Sequence, residues 1–219
     1  MLDHPNLIKI YALEAQRNWL FRTRKVHLLI EYVNGQTLDM LKKLSIADLL
    51  DVFVQVSAAV NHMHRRGVFH ADLKPNNIML SRSGEVKVID FGLAWIKGED
   101  KGRLQGTPEY MAPEQVSHSL VNERTDIFNF GATMYRLTTW RLPPSCMIEQ
   151  GSLPLDAKNW KRLLKPVQDC NAEAPSALCD LIHRCLSYKA HDRPMRMHDV
   201  KSELEQIAAT QSGSHETHS

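Results

Sequence analysis

Two short runs, His70-Ala71-Asp72-Leu73-Lys74-Pro75-Asn76-Asn77 and Asp90-Phe91-Gly92, set a carboxylate, a cation and two further oxygen donors in a fixed order along the chain. Phosphoryl transfer asks for such a set: a hydroxyl held in line with a phosphate, and neutralisation of the charge that spreads over the phosphate oxygens. Asp72 can accept the hydroxyl proton, and Lys74, two residues on, can reach the transferring phosphate. Asn77 offers a neutral oxygen and Asp90 a charged one to a hard cation. Mg²⁺ suits such ligands and keeps phosphates and waters in its shell. Phe91 would anchor this loop in the core, and Gly92 would let the backbone bend behind the aspartate.

Taken singly, these residues are weak signals. Asp72 alone reads as a turn residue, Asp90 as a strand-end cap, and His70 as a packed histidine whose role is support rather than proton transfer. Their joint order and separation give them weight.

The elements that must hold them can be read from periodicity. Residues 7–13 and 26–33 read as strands, and Asn34-Gly35 breaks the pattern. The chain then turns mostly helical, with a short amphipathic stretch over residues 38–44. A long helix follows over residues 45–64: Ser45 can cap it, Asp48 suits its positive end, and Leu49, Leu50, Phe53, Val56, Val60 and Met63 recur at helical spacing. Strands at residues 77–80 and 86–89 form a hairpin with Asn77 at its entry and Asp90 at its exit, a rigid spacer between two metal-ligand side chains. Residues 92–125 are irregular. Helical patterns return at 126–140, 156–165, 176–188 and 197–209, and the polar residues 210–219 read as a disordered tail.

Composition narrows the classes. The 219 residues are 43% hydrophobic, enough for a sizeable core. The net charge of +2, with no Lys/Arg block, argues against nucleic acid or an anionic membrane as main partner. No apolar run is long enough to span a bilayer. The four cysteines show no C-x-x-C spacing, so packed thiols in a reduced, cytoplasmic protein are expected rather than a zinc site with His183. His62 and His64 do not share a helix face and make a poor metal pair.

Three further segments extend the pattern: Gly106-Thr107-Pro108-Glu109-Tyr110-Met111-Ala112-Pro113-Glu114, Asp126-Ile127-Phe128-Asn129-Phe130-Gly131, and His191-Asp192-Arg193-Pro194. With the two opening runs they resemble the catalytic domain of eukaryotic-type serine/threonine protein kinases over residues 4 to about 205. The resemblance implies an α+β, protein-kinase-like fold: residues 1–35 as part of a β-rich small lobe with the hinge, and residues 36–209 as a mostly helical large lobe. It implies transfer of the ATP γ-phosphate to Ser/Thr hydroxyls of a protein substrate, with Asp72 as base, Lys74 stabilising charge, Asn77 and Asp90 holding Mg²⁺ and Thr107 supporting the substrate side. It also places Ile30 at the gatekeeper position, Glu31 and Val33 at the adenine-binding hinge, and Met79 under the base. Arg193 is expected to pair with Glu114.

The chain departs from that pattern at several points. Ala71 stands where many family members carry an arginine that pairs with an activating phosphate, and residues 93–105 contain no Ser, Thr or Tyr. Activity is therefore expected not to depend on phosphorylation there. Asn76 and Thr37 stand where arginine-directed kinases often carry acids. The sequence contains no Gly-x-Gly-x-x-Gly run and only the last two small-lobe strands. The expectation is a kinase domain truncated at its N-terminus and poorly active by itself, whose hairpin over residues 6–33 needs the rest of a small lobe or a partner to cover it. The alternative is a pseudokinase-like, non-catalytic binding module.

Overall fold

The computed structural model describes residues 2–17, 23–91, 93–96, 106–117, 121–147 and 155–216. Gly92 and most of the segment that follows it lie outside the described residues.

The chain opens on an antiparallel hairpin, β1 (Ile10–Arg17) and β2 (Thr23–Ile30), with Ile10 opposite Ile30. The expected first strand, and with it the hairpin over residues 6–33, begins later than its sequence suggests. Residues 6–8 serve a different sheet, built in the order β3 (Gly35–Thr37), β5 (Ile78–Ser81), β6 (Val86–Val88). Strand β6 is at its edge, and an unpaired edge leaves backbone groups unsatisfied. Asn6 supplies a carbonyl to Val88 N–H at 2.8 Å, Ile8 N–H donates to Val88 O at 2.9 Å, and Leu7 is buried between them.

Strand β2 ends at Ile30, and after the break Gly35 opens the separate strand β3. A Cβ at Gly35 would lie 2.2 Å from Leu80 O, so the close approach of β3 to β5 requires glycine. No helix forms over residues 38–44. Leu38 N–H is taken by the carbonyls of Pro75 and Ile78, and a stretch this short cannot offset helix nucleation by itself.

Helix α1 (Ile46–His64) forms as expected, capped by Ser45, whose hydroxyl accepts from Asp48 N–H at 3.1 Å. Its apolar stripe faces the core, and the short strand β4 (Val68–Phe69) follows it and pairs with β7 (Trp95–Ile96). Gln55 on α1 braces the β5–β6 hairpin: its Oε1 accepts from Val86 N–H and Asn6 Nδ2, and its Nε2 donates to Gly84 O.

After α2 (Pro113–Val116) comes α3 (Glu123–Thr139), buried on nearly every side although its sequence is rich in polar residues. Around it pack α4 (Ala157–Leu163), α5 (Val167–Cys170), α6 (Ser176–Cys185) and α7 (Met197–Glu216), and α7 lies along α1. The tail differs from its composition. Met197, Val200, Leu204 and Ile207 anchor α7 in the core, and its helical backbone then runs on to Glu216, since each added residue gains a hydrogen bond once a helix is nucleated. Among the described residues no helix is long and apolar enough to cross a membrane.

Candidate active site

Helix α3 positions the loop that carries Asp72. Asp126, Asn129 and Thr133 recur at helical spacing on one side of it. Asp126 accepts from the N–H groups of His70 and Ala71, both at 2.7 Å. Asn129 Nδ2 donates to Tyr110 O at 2.6 Å and to Gln115 Oε1 at 2.9 Å, and Thr133 Oγ1 donates to Leu73 O at 3.2 Å. Gln115 Nε2 closes the set by donating to Ala71 O at 2.8 Å. The buried polar groups of α3 are thus where two loops are fastened.

Asp126 is fully buried, and burial alone would raise its pKa, but His64 Nε2 at 2.7 Å and the two backbone donors hold the carboxyl below its ordinary value. Burial pushes His64 down, yet the neighbouring Asp126 and Glu123 carboxylates carry it up to about 9. Glu123 Oε1 lies 3.1 Å from His64 Nδ1, at ion-pair distance. This charged triad escaped sequence reading. Asp126 was visible only as the start of a helix, and His64 only as a poor metal ligand.

His70 is completely buried, and burial lowers its pKa, so it is neutral. Asp72 N–H donates to its Nδ1 at 3.3 Å and its Nε2 faces Ile89 O at 3.4 Å, which fits the tautomer protonated on Nε2. Its ring meets Phe91 edge-on at 6.0 Å. The histidine therefore tethers the Asp72 loop to the strand exit that leads to Asp90.

Four of the sequence-selected residues converge. Asp72, 6% exposed, accepts from Thr107 N–H at 2.8 Å on Oδ1 and meets Lys74 Nζ at 3.0 Å on Oδ2. Lys74 Nζ also donates to Thr107 Oγ1 at 2.5 Å. Asn77 donates its amide N–H to Asp72 O at 2.8 Å, so its Oδ1 is the atom left for a cation. Asp90 stands at the same end of the hairpin, because Ile89 N–H donates to Asn77 O at 2.8 Å. Asp90 is exposed and has φ of 61°, a left-handed conformation that aspartate tolerates better than most side chains.

The remaining candidates line the strands. Ile30 ends β2, half exposed; Met79 on β5 pairs with Thr37 and Lys87. Glu31 N–H donates to Lys9 O at 2.8 Å and Gly35 N–H to Val33 O at 3.0 Å. The Glu31 carbonyl and Val33 N–H enter no hydrogen bond with the described residues. Lys87 Nζ lies 2.8 Å from Glu31 Oε1, an ion pair between the segment after β2 and the β5–β6 hairpin that the sequence did not disclose.

Away from this centre, Glu114 and Arg193 form the expected pair, bidentate at 2.6 and 2.9 Å. Arg193 also donates to the carbonyls of Arg124, Tyr188 and Ser187 and stacks 4.8 Å over Phe128.

Residues 1–204 match the protein kinase domain family, and the chain belongs to it. It is 29% identical to a probable serine/threonine-protein kinase of Clostridium acetobutylicum over 94% of this chain and 31% of that protein. It is 30% identical to the serine/threonine-protein kinase PknD of Protochlamydia amoebophila over 93% of this chain and 24% of that one. It is 35% identical to the probable serine/threonine-protein kinase PknB of Bifidobacterium longum over 65% of this chain and 22% of that one. The chain thus spans about a third or less of the length of these curated relatives. The family uses ATP and a divalent metal and acts on protein substrates.

Proposed function

We propose that this chain transfers the γ-phosphoryl group of ATP to serine or threonine hydroxyls of protein substrates. The observation that carries the reading is the convergence on Asp72, whose two oxygens are aimed by Thr107 N–H and Lys74 Nζ. In the step itself, the substrate hydroxyl oxygen bonds to the γ-phosphorus, the bond to the β–γ bridging oxygen breaks, the proton passes to Asp72, and ADP leaves. Lys74, oriented by the Thr107 hydroxyl, balances charge on the transferring group.

Asn77 and Asp90 would hold Mg²⁺. Among the described residues no group of three or more His, Cys, Asp or Glu side chains could cage a metal. A pair of oxygen donors suits an ion that takes its other ligands from phosphates and water. The bound ion would supply neutralisation of phosphate charge. Adenine would use the Glu31 carbonyl and Val33 N–H, between Ile30 and Met79.

Tyr11, Leu13, Leu28 and Leu29 on the β1–β2 hairpin are each more than half exposed, which supports a reading in which further protein, such as the rest of a β-rich small lobe, covers it. Four free thiols fit a cytoplasmic, reducing setting.

The test is transfer of labelled phosphate from Mg-ATP to a generic protein substrate by the chain, an Asp72→Asn variant and an Asp90→Ala variant. Transfer should fall by a factor of roughly 10²–10⁴ in each variant. Equal and negligible transfer by all three sinks the catalytic reading and favours a non-catalytic binding module.

A further inference from the structure

A groove of about 400 Å³ is lined in part by Asn76 and by Thr107, the residue that bonds Asp72. Its lining carries charges of both signs. Arg136 and Arg141, at the end of α3 and just beyond it, supply the positive charge, and Asp39 and Glu109 the negative. None of these four side chains has an ion-pair partner among the described residues.

The four are not equally prepared to bind. Asp39 and Glu109 are exposed, and Asp39 accepts from Asn76 Nδ2 at 2.8 Å. Arg136 is half-buried and fixed: its guanidinium lies 5.6 Å from the Trp140 ring centroid, and one N–H donates to Trp140 O. Trp140 itself closes α3 at φ 58°, the left-handed position usually given to glycine. A large side chain held in that conformation marks a place where the surroundings over-determine the backbone, and such places gather at binding sites. Here the strained residue lends its carbonyl and ring to Arg136. A pre-ordered guanidinium loses little freedom on gripping a carboxylate, and its remaining N–H groups form the planar fork that a carboxylate matches.

We propose that this groove selects protein substrates with an aspartate or glutamate near the acceptor hydroxyl, gripped by Arg136 with added charge from Arg141. The proposal rests on the phosphotransfer reading above. Asp39 and Glu109 in the same lining repel an acid that does not reach the arginines, so the preference is confined to one position of the peptide.

Two measurements test it: phosphorylation of peptide libraries varied one position at a time, and fluorescence-anisotropy binding of matching peptides with alanine at the acceptor position. The unmodified chain should favour an acid over a lysine at one position by about tenfold in both. Arg136→Glu should reverse that preference, and Arg141→Glu, at an exposed site, should weaken it even if the first variant folds poorly. An unmodified chain that is indifferent to charge, or binds no peptide, overturns the groove as an acid reader. So does a preference unchanged in Arg141→Glu together with a folded Arg136→Glu. Charge-selective binding without phosphorylation leaves the groove standing and sinks the catalytic reading; phosphorylation without charge preference does the reverse.

Discussion

Asp126 accepts from Ala71 N–H at 2.7 Å across 55 residues of sequence, and the residue it holds sits at φ 64°. Alanine has no intrinsic reason to adopt that conformation, so the carboxylate on α3 enforces the turn that delivers Asp72. Asn in place of Asp126 keeps the shape but not the pattern. One of its two polar atoms becomes a donor facing a donor, and the charge opposite His64 is lost. Asp126→Asn should destabilise the fold by roughly 3–5 kcal/mol, the usual result of removing one side of a buried ion pair. Urea denaturation would show it; a loss below about 1 kcal/mol would mean the carboxylate is dispensable.

The same cluster sets a pH signature. His64 has its pKa carried up to about 9 from an ordinary 6.5, so its contribution is complete below 6.5 and is lost as pH rises through about 9. His70 has the opposite sign. Burial lowers its pKa, so below 6.5 the unfolded chain takes up a proton that the folded chain refuses, and stability falls toward acid. The difference in Tm between the unmodified chain and His64→Gln isolates the first effect. It should be largest near pH 6 and shrink steadily toward pH 9. A difference that does not vary with pH would show that His64 is uncharged in the fold.

Arg193 answers five acceptors with one planar group: both Glu114 oxygens and three backbone carbonyls. Lysine keeps the charge but offers one point donor and no plane to lie over Phe128. Arg193→Lys should therefore cost about as much as Arg193→Met, roughly 3–5 kcal/mol by chemical denaturation. A lysine variant within about 1 kcal/mol of the parent would show that charge alone suffices.

Gly131 lets α3 approach α6. A Cβ there would sit 2.7 Å from Cys185 Cβ and 3.2 Å from its carbonyl carbon, neither of them the far end of a flexible side chain. Alanine gains helix propensity of about 0.5–1 kcal/mol, whereas overpacking a close-packed core costs typically 1–3 kcal/mol. The clash wins, so Gly131→Ala should lower Tm, and an increase would show that the helices can separate freely.

The features legible in the sequence were those whose partners are close along the chain. Ser45 and Asp48 announced α1 because a cap acts within one turn, and the strand runs at residues 77–80 and 86–89 announced the β5–β6 hairpin because one turn joins them. Glu114 and Arg193 were paired correctly across 79 residues only through the family resemblance. Three things were hidden for the same reason. The start of β1 depends on residues 6–8 finding the edge of β6, far along the chain. The Asp126–His64–Glu123 cluster joins two helices, and the Glu31–Lys87 pair joins the segment after β2 to the β5–β6 hairpin. Nothing local in a sequence distinguishes such a residue from an ordinary surface charge.

Thr107 contributes to the centre through two separable groups. Its backbone N–H meets Asp72 Oδ1, and its hydroxyl accepts from Lys74 Nζ. Valine has nearly the same shape, keeps the first bond and deletes the second. Lys74 would then be aimed by Asp72 alone, with its other direction unspecified. If the ammonium acts on the transferring phosphate, Thr107→Val should lower kcat by about tenfold while leaving KM for ATP nearly unchanged, because the lost interaction orients a charge that matters most in the transition state. Thr107→Ser, which retains the hydroxyl, should restore most of the rate. Loss in kcat for valine with no recovery in serine would assign the effect to the threonine methyl packing instead of to the bond with Lys74.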